Sequence, residues 1–293
     1  MKALTLNLKT IIIDTFKISG ILYGCWSILS IFITWDDLGV KQLWIKIMFL
    51  IIFFLVSFVV SIFNICVLKS KKVISTNGNG TIEECYGNLM KIAFKKKGKK
   101  IVVVSVNTCF DTIVDNDIGK HEKKMVSPTS IHGIWINEMV KNGILVEDID
   151  EQIENYLNEN KIVPYKYLSK ENKPRGKLKE YQEGTIALVN GKNETVFLLV
   201  ALSEFDENNN GQSSKDKLVD VLHKIINFYD KNGQGYSLFL PLMGTGLSRI
   251  GIEHEDSLEI IESMFKLHKD KIHGKVNIVV YNKDKDKISI FKE

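Results

Sequence analysis

Ile47–Leu68 reads IMFLIIFFLVSFVVSIFNICVL, 22 residues without a charge. A helix of that length rises about 33 Å, enough for a bilayer hydrocarbon core of about 30 Å. Buried helices of globular cores rarely run so far uncharged, so the segment predicts a membrane span. Upstream, Ile18–Trp35 (ISGILYGCWSILSIFITW) is a second uncharged run of 18 residues. It is too long for a signal-peptide core, and no small-residue cleavage site follows it. The connector Asp36–Lys46 is short and carries Asp36, Asp37, Lys41 and Lys46. Residues 1–70 therefore read as a transmembrane hairpin with a short cytoplasmic N-terminus, and residues 71–293 as one soluble domain. Lys2, Lys9 and Lys17 precede the first span, and Lys69, Lys71 and Lys72 abut the second. Those positive flanks predict a multi-pass protein of the cell membrane with both ends in the cytoplasm. Trp35 and Trp44 fall at the opposite interface, where indoles prefer to sit.

Charge and cysteine usage narrow the function. With 39 basic and 35 acidic residues the net charge is +4, too balanced for a nucleic-acid binder. The one basic run, Lys95–Lys100 (KKKGKK), reads as a solvated turn, with contact to anionic headgroups as the alternative. Cys25, Cys66, Cys85 and Cys109 are scattered, without zinc or disulfide-frame spacing. The six histidines form no metal-like pair. These features predict a reducing compartment, no metal and no cofactor.

The soluble part reads as α/β. Asn77-Gly78-Asn79-Gly80 signals a hairpin turn between VIST and TIEECY, although Thr81–Glu84 also fits a capping box opening a helix through Lys97. The hairpin reading continues to Tyr86, breaks at Gly87 and starts a short helix at Asn88. Ile101–Val106 (IVVVSV) is β-branched throughout, the pattern of a strand buried on both faces. Thr185–Val189, Val196–Leu202, Ser237–Leu240 and Val276–Tyr281 are similar, and Ile288–Phe291 is a weaker closing strand. Ser213–Asp230 and Glu253–Lys271 read as amphipathic helices, the first capped by Ser213. Asp148–Asn158 reads as a polar, exposed helical insertion. Strand–helix alternation implies a sheet covered on both faces.

Four segments at strand ends carry candidate chemistry. Ser237–Gly251 (SLFLPLMGTGLSRIG) is strand, glycine loop, then helix. Its glycines let backbone N–H groups converge on an anion, and the helix N-terminus adds a favourable dipole, which suits a diphosphate. A tight structural turn explains Gly244 and Gly246 equally well. Arg249 suits a bidentate phosphate contact or a surface ion pair. Val106–Asp111 (VNTCFD) follows a buried strand, where Asn107 and Asp111 suit ribose hydroxyls or turn capping. Ser130-Ile131-His132-Gly133 opens a helix, with His132 as a ligand donor or a cap. Ala201–Asn210 (ALSEFDENNN) offers Phe205 for stacking on a base.

In that order, VNTCFDTIVD, SIHG, ALSEFDENN and LPLMGTGLSRIG resemble the macro-domain branch of membrane-anchored type II Thoeris anti-phage effectors. The resemblance covers about residues 81–293 and extends to the preceding hairpin. It implies a macro-like three-layer sandwich with a mixed sheet over residues 71–293. It also implies an ADP-ribose-derived ligand. Gly244, Thr245, Gly246, Leu247, Ser248, Arg249 and Ile250 would cradle the diphosphate and distal ribose. Asn107, Asp111, Ser130, His132 and Gly133 would line the distal end. Ser203 and Phe205 would also bind the ligand, Phe205 by stacking on the base. Gly87-Asn88-Leu89 stands where macro domains often carry Gly-Asp-Ile or Gly-Asp-Leu, and the Asn88 amide oxygen can still accept a hydrogen bond from an adenine amino group. Hydrolytic macro domains usually carry Asn-Ala-Ala-Asn and Gly-Gly-Val where this chain has VNTCFD and SIHG. That difference favours a sensor over the alternative, a membrane-tethered ADP-ribosyl hydrolase. The resemblance further implies a signal nucleotide made by a TIR-domain enzyme, a histidine–ADP-ribose conjugate. Ligand-induced homo-oligomers, damage to membrane lipid and no catalysis would follow.

Overall fold

The computed structural model describes residues 2–78, 80–115, 125–246 except 206–210, and 251–292, with backbone alone at 205, 211 and 212. The chain divides into two compact units: Met1–Lys72 with Lys283–Glu293, and Val73–Asn282.

The first unit is helical. A short α1 (Lys2–Leu6) precedes α2 (Leu8–Leu29), and α3 (Leu43–Phe63) runs on into a π-helical turn, Asn64–Leu68. Two helices, Leu8–Leu29 and Leu43–Leu68, are long and apolar enough to cross a membrane. They pair as a hairpin through rings: Phe16 meets Phe54 edge-on, and Trp26 packs on Phe49 with centroids 4.9 Å apart. The Tyr23 hydroxyl donates to the Leu50 carbonyl at 2.7 Å. The first helix lies N-terminal to the expected run Ile18–Trp35, because it accommodates Asp14 and Lys17. A carboxylate on an apolar helix needs partners. Asp14 accepts from Ser61 Oγ at 2.9 Å and Asn64 Nδ2 at 3.1 Å, and Lys69 Nζ lies 3.5 Å away. Past Leu29 the chain turns, and Asp37 closes the turn by accepting from the Thr34 backbone N–H and hydroxyl.

The tail Lys283–Glu293 belongs to this unit. Ile288–Phe291 is buried but is not a strand, which corrects the expected closing strand. Its polar groups bond to helix α2 and its approach rather than to a ladder. The Ser289 hydroxyl donates to Asn7 Oδ1, and the Thr10 hydroxyl donates to the Phe291 carbonyl at 2.9 Å.

β1 (Lys71–Asn77) starts in the last two residues of the first unit's main segment and continues into the second, where β2 (Gly80–Gly87) follows it in the sheet, so the hairpin reading holds over the capping box. Asn88 then caps α4 (Leu89–Lys95), its side chain accepting from Lys91 N at 2.9 Å. β3 (Lys100–Asn107), α5 (Ile131–Lys141) and α6 (Val146–Glu159) follow. The short pair β4 (Lys166–Tyr167) and β5 (Lys179–Glu180) comes next. Then come β6 (Ile186–Asn190), β7 (Thr195–Phe205), β8 (Gly211–Gln212), α7 (Lys215–Asn232), β9 (Ser237–Pro241), α8 (His254–Leu267) and β10 (Lys275–Tyr281). The main sheet runs β1-β2-β10-β9-β3-β7-β6, mixed in direction. α4, α5 and α6 cover one face, and α7 and α8 pack on β7 and β10 of the other. The result is a three-layer α/β sandwich.

Two local expectations are corrected. Ser214, not Ser213, caps α7, accepting from Lys217 N. α6 is no exposed insertion: Ile149, Ile153 and Leu157, spaced four apart, are buried in the core. Burying three such side chains contributes about 1.5–3 kcal/mol each, which outweighs the polar majority of the helix.

Candidate functional site

Strands β2, β10, β9, β3 and β7 all run parallel. In register, Gly87 lies beside Tyr281, Pro241 beside Val279, and Asn107 beside Ser203. The carboxyl ends of five strands therefore share one edge, the edge where open α/β sheets bind ligands. Asn88, Asn107, Ser203 and the loop after Pro241 all start there. Sequence motifs up to about 150 residues apart are brought together by topology alone.

The end of β3 is closed. The register with β7 shifts here, Val106 facing Ala201 and Asn107 facing Ser203, so that Leu202 is the extra residue, on β7. Asn107 is buried, donates from Nδ2 to Asp111 Oδ2 at 3.0 Å and accepts Asp111 N at 3.0 Å. Asp111 is fully buried. Its Oδ2 also takes Lys173 Nζ at 2.6 Å, and its Oδ1 takes the Lys177 backbone N–H at 2.7 Å. Both carboxylate oxygens are thus bonded within the fold. Cys109 beside them is buried, and burial pushes its thiol up to about 11, so it stays protonated at neutral pH.

The Ser130–Gly133 segment is a built helix start. Ser130 Oγ accepts from Gly133 N at 3.0 Å and donates to the Ser127 carbonyl at 2.7 Å. Gly133 is needed for packing: a Cβ there would stand 2.1 Å from the Ser127 carbonyl oxygen. His132 is buried and stacks on Trp135. Burial, then the nearby Lys177 charge, pushes its pKa down to about 3 against an opposing hydrogen bond to the Asp111 backbone. The ring is a neutral imidazole at physiological pH.

The other predicted residues sit in more open places. Asn88 is half-buried with its side-chain oxygen engaged as a cap, and Leu89 is in the core. Ser203 is half-buried, and its carbonyl accepts from Thr108 N at 3.0 Å. Phe205 ends β7, with its side chain outside the described residues. In the glycine loop, Gly244 is buried with φ +87°, the left-handed region that favours glycine. Thr245 is half-buried, and Gly246 is exposed, with nothing among the described residues within 4 Å of a Cβ built on it. Leu247, Ser248, Arg249 and Ile250 lie outside the described residues. Gly251, with φ +73°, leads to α8, which is anchored by Ser257 Oγ donating to the Met243 carbonyl at 2.7 Å. Glu255 and Asp256 occupy the first turn of α8. They complement the helix dipole themselves, so anion binding in this loop falls to backbone N–H groups more than to that helix end.

Sequence reasoning missed the segment that seals the β3 end. Arg175 pairs bidentately with Asp115, at 2.7 and 3.3 Å. Lys177 pairs with Asp150, Lys179 with Glu154, and the Thr108 hydroxyl donates to Glu180 at 3.0 Å. Gly176 has φ +81°, and a Cβ there would lie 2.2 Å from Asp111 Oδ1. The signal was present as a basic run, KPRGK at 173–177, facing acidic Asp111 and Asp115.

A mixed seven-strand order with helices on both faces, and motif loops along one carboxyl edge, defines a macro domain. The model of the family described as the macro domain of Thoeris protein ThsA matches residues 82–281. The chain belongs to that family. A curated relative, Thoeris protein ThsA of Bacillus amyloliquefaciens (strain Y2), is 24% identical over 273 residues, covering 90% of this chain and 82% of its own length. Among solved structures, an Oceanobacillus iheyensis macrodomain with MES bound is 12% identical, covering 74% of this chain and 92% of its own, with a TM-score of 0.48. A Trypanosoma brucei macrodomain in complex with ADP-ribose is also 12% identical, covering 70% and 66%, with a TM-score of 0.39.

Proposed function

We propose that this chain is a membrane-anchored sensor and effector of bacterial anti-phage defence. Its macro domain faces the cytoplasm and binds an ADP-ribose-type signal nucleotide, a histidine–ADP-ribose conjugate made by a TIR-domain enzyme. Binding drives homo-oligomerisation of the hairpins and disruption of the membrane, without turnover of the ligand. The observation that carries this reading is the loop after β9. It stands at the carboxyl edge of the parallel strands, with Gly244 at positive φ and Gly246 open to solvent. Backbone approach to a diphosphate needs that combination.

The chemistry of the β3 end supports a non-catalytic role. A thiol held near 11 is a poor nucleophile, a buried neutral histidine bonded to backbone is a poor base, and the Asp111 carboxylate is saturated. The family match supports the anti-phage role. Coupling to the membrane has a covalent route. β10 ends at Tyr281 on the site edge, and the chain continues into the tail that bonds to Asn7 and Thr10. A two-helix hairpin is too small to enclose a pore, so activity requires several chains, and ligand must favour the assembled state by differential affinity.

Purified full chain in detergent, incubated with ADP-ribose and with its histidine conjugate, tests this directly. The size distribution should shift to oligomers with the ligand recovered intact. Consumption of ligand with the protein remaining monomeric would establish the hydrolase instead.

A further inference from the structure

We propose that the cytoplasmic end of the hairpin holds a binding site for the phosphate of an anionic phospholipid headgroup. The inference rests on the membrane-spanning reading of α2 and α3. A cavity of about 180 Å³ opens between the start of α2 and the π-helical turn. It has room for several waters at about 30 Å³ each, and so for a phosphate group. Lys17 from α2, Lys69 from beyond the turn and Lys72 from β1 all line it.

The charge balance of the cavity is positive. Asp14 is its one acidic lining residue, and that carboxylate already accepts from Ser61 and Asn64. Lys69 stands 3.5 Å from it, a loose pair. Lys72 Nζ donates to the Lys292 carbonyl at 2.9 Å, which uses one of three ammonium donors. Lys17 is exposed and makes no ion pair among the described residues. Three lysines thus line a space that has one carboxylate, already hydrogen-bonded.

The remaining walls decide between lipid and free anion. Ile13, Ile65 and Phe291 also line the cavity, and α2 and α3 lead away from it as apolar helices. A free phosphate uses only the lysines. A phospholipid uses both parts, its phosphate among the ammonium groups and its chains along the spans. Basic pockets between membrane helices on the cytoplasmic side recognise headgroups in this way. The other end of the hairpin differs: Lys46 there lies over the Trp35 ring, 5.6 Å from its centroid.

The test is thermal unfolding of the full chain in detergent, titrated separately with dioleoyl phosphatidylglycerol, dioleoyl phosphatidylcholine and sodium phosphate. Phosphatidylglycerol should raise the midpoint saturably, and the other two should not. Lys17→Gln should weaken the apparent lipid affinity about fivefold, the effect of one lysine near a membrane surface. Lys17→Arg should restore it, and Lys41→Gln at the opposite end should leave it unchanged. An equal response to phosphatidylcholine, an equal response to phosphate alone, or no effect of Lys17→Gln would overturn the proposal. Alkaline-carbonate extraction of membranes separates the two readings. A chain retained in the pellet keeps the membrane reading whatever the lipid result, and a chain released by carbonate removes both.

Discussion

The loops that follow β3 and β9 leave neighbouring parallel strands at the same edge, yet they are built in opposite ways. After β3, Asn107, Asp111, Lys173 and His132 bond to one another or to backbone, and all are buried. After β9, Gly246 is exposed and has no neighbour among the described residues within 4 Å of a built Cβ. Residue types alone suit both loops to a nucleotide. Burial separates them, because a polar group already bonded inside the fold gives little to a ligand without first breaking that bond. Among the described residues, the polar side chains after β3 are bonded within the fold, whereas Gly246 after β9 is exposed.

The comparison is broken most severely at Asp111. Asp111→Ala strands the buried Lys173 ammonium and should cost about 3–5 kcal/mol of stability in urea melts of the full chain in detergent. A loss below about 1 kcal/mol would mean that the β3 loop is not the closed scaffold described. Gly176→Ala forces a side chain into a left-handed backbone against Asp111 Oδ1, and a loss of about 2 kcal/mol is expected. The matching change Gly246→Ala should fall within about 0.5 kcal/mol of the parent. Equal costs at the two glycines would erase the distinction.

The pH dependence sharpens the same contrast. The His132 pKa is near 3 in the folded state and about 6.5 when unfolded. Below 6.5 the unfolded chain binds the extra proton, so stability is full above 6.5 and falls as pH drops toward 3. The slope is about 1.4 kcal/mol per pH unit while only the unfolded form titrates. His132→Gln should flatten that limb of a stability–pH profile measured on the full chain, and an unchanged slope would place the ring in solvent.

How much was legible follows the same division. The β-branched run at Ile101–Val106 announced a strand covered on both faces, and β3 is that strand, with Val102, Val103 and Val104 fully buried. Asn-Gly at the first turn and Asn88 as a helix start were readable because local backbone chemistry sets them. α6 was misread because its acidic exterior hides a stripe of three apolar residues, and burial rather than composition decides a helix. Ile288–Phe291 was misread because a short apolar run does not reveal whether a sheet edge or a helix covers it. The first apolar helix starts at Leu8, ahead of the uncharged run Ile18–Trp35, and the partners that let it carry Asp14 come from a helix about 50 residues away. The basic run that holds Lys173 was legible, but its pairing with Asp111 was not, because 62 residues separate them.

The central claim is that the loop after β9 binds the diphosphate while the β3 loop supports it. The most direct test is ADP-ribose affinity of the full chain in detergent, measured by calorimetric titration for the parent and for Gly246→Val, alongside their melting midpoints. The account predicts binding by the parent, loss of binding by Gly246→Val and nearly equal midpoints, because Gly246 is exposed and a Cβ there meets none of the described residues within 4 Å. Undiminished affinity in Gly246→Val would contradict it and put the nucleotide elsewhere on the domain.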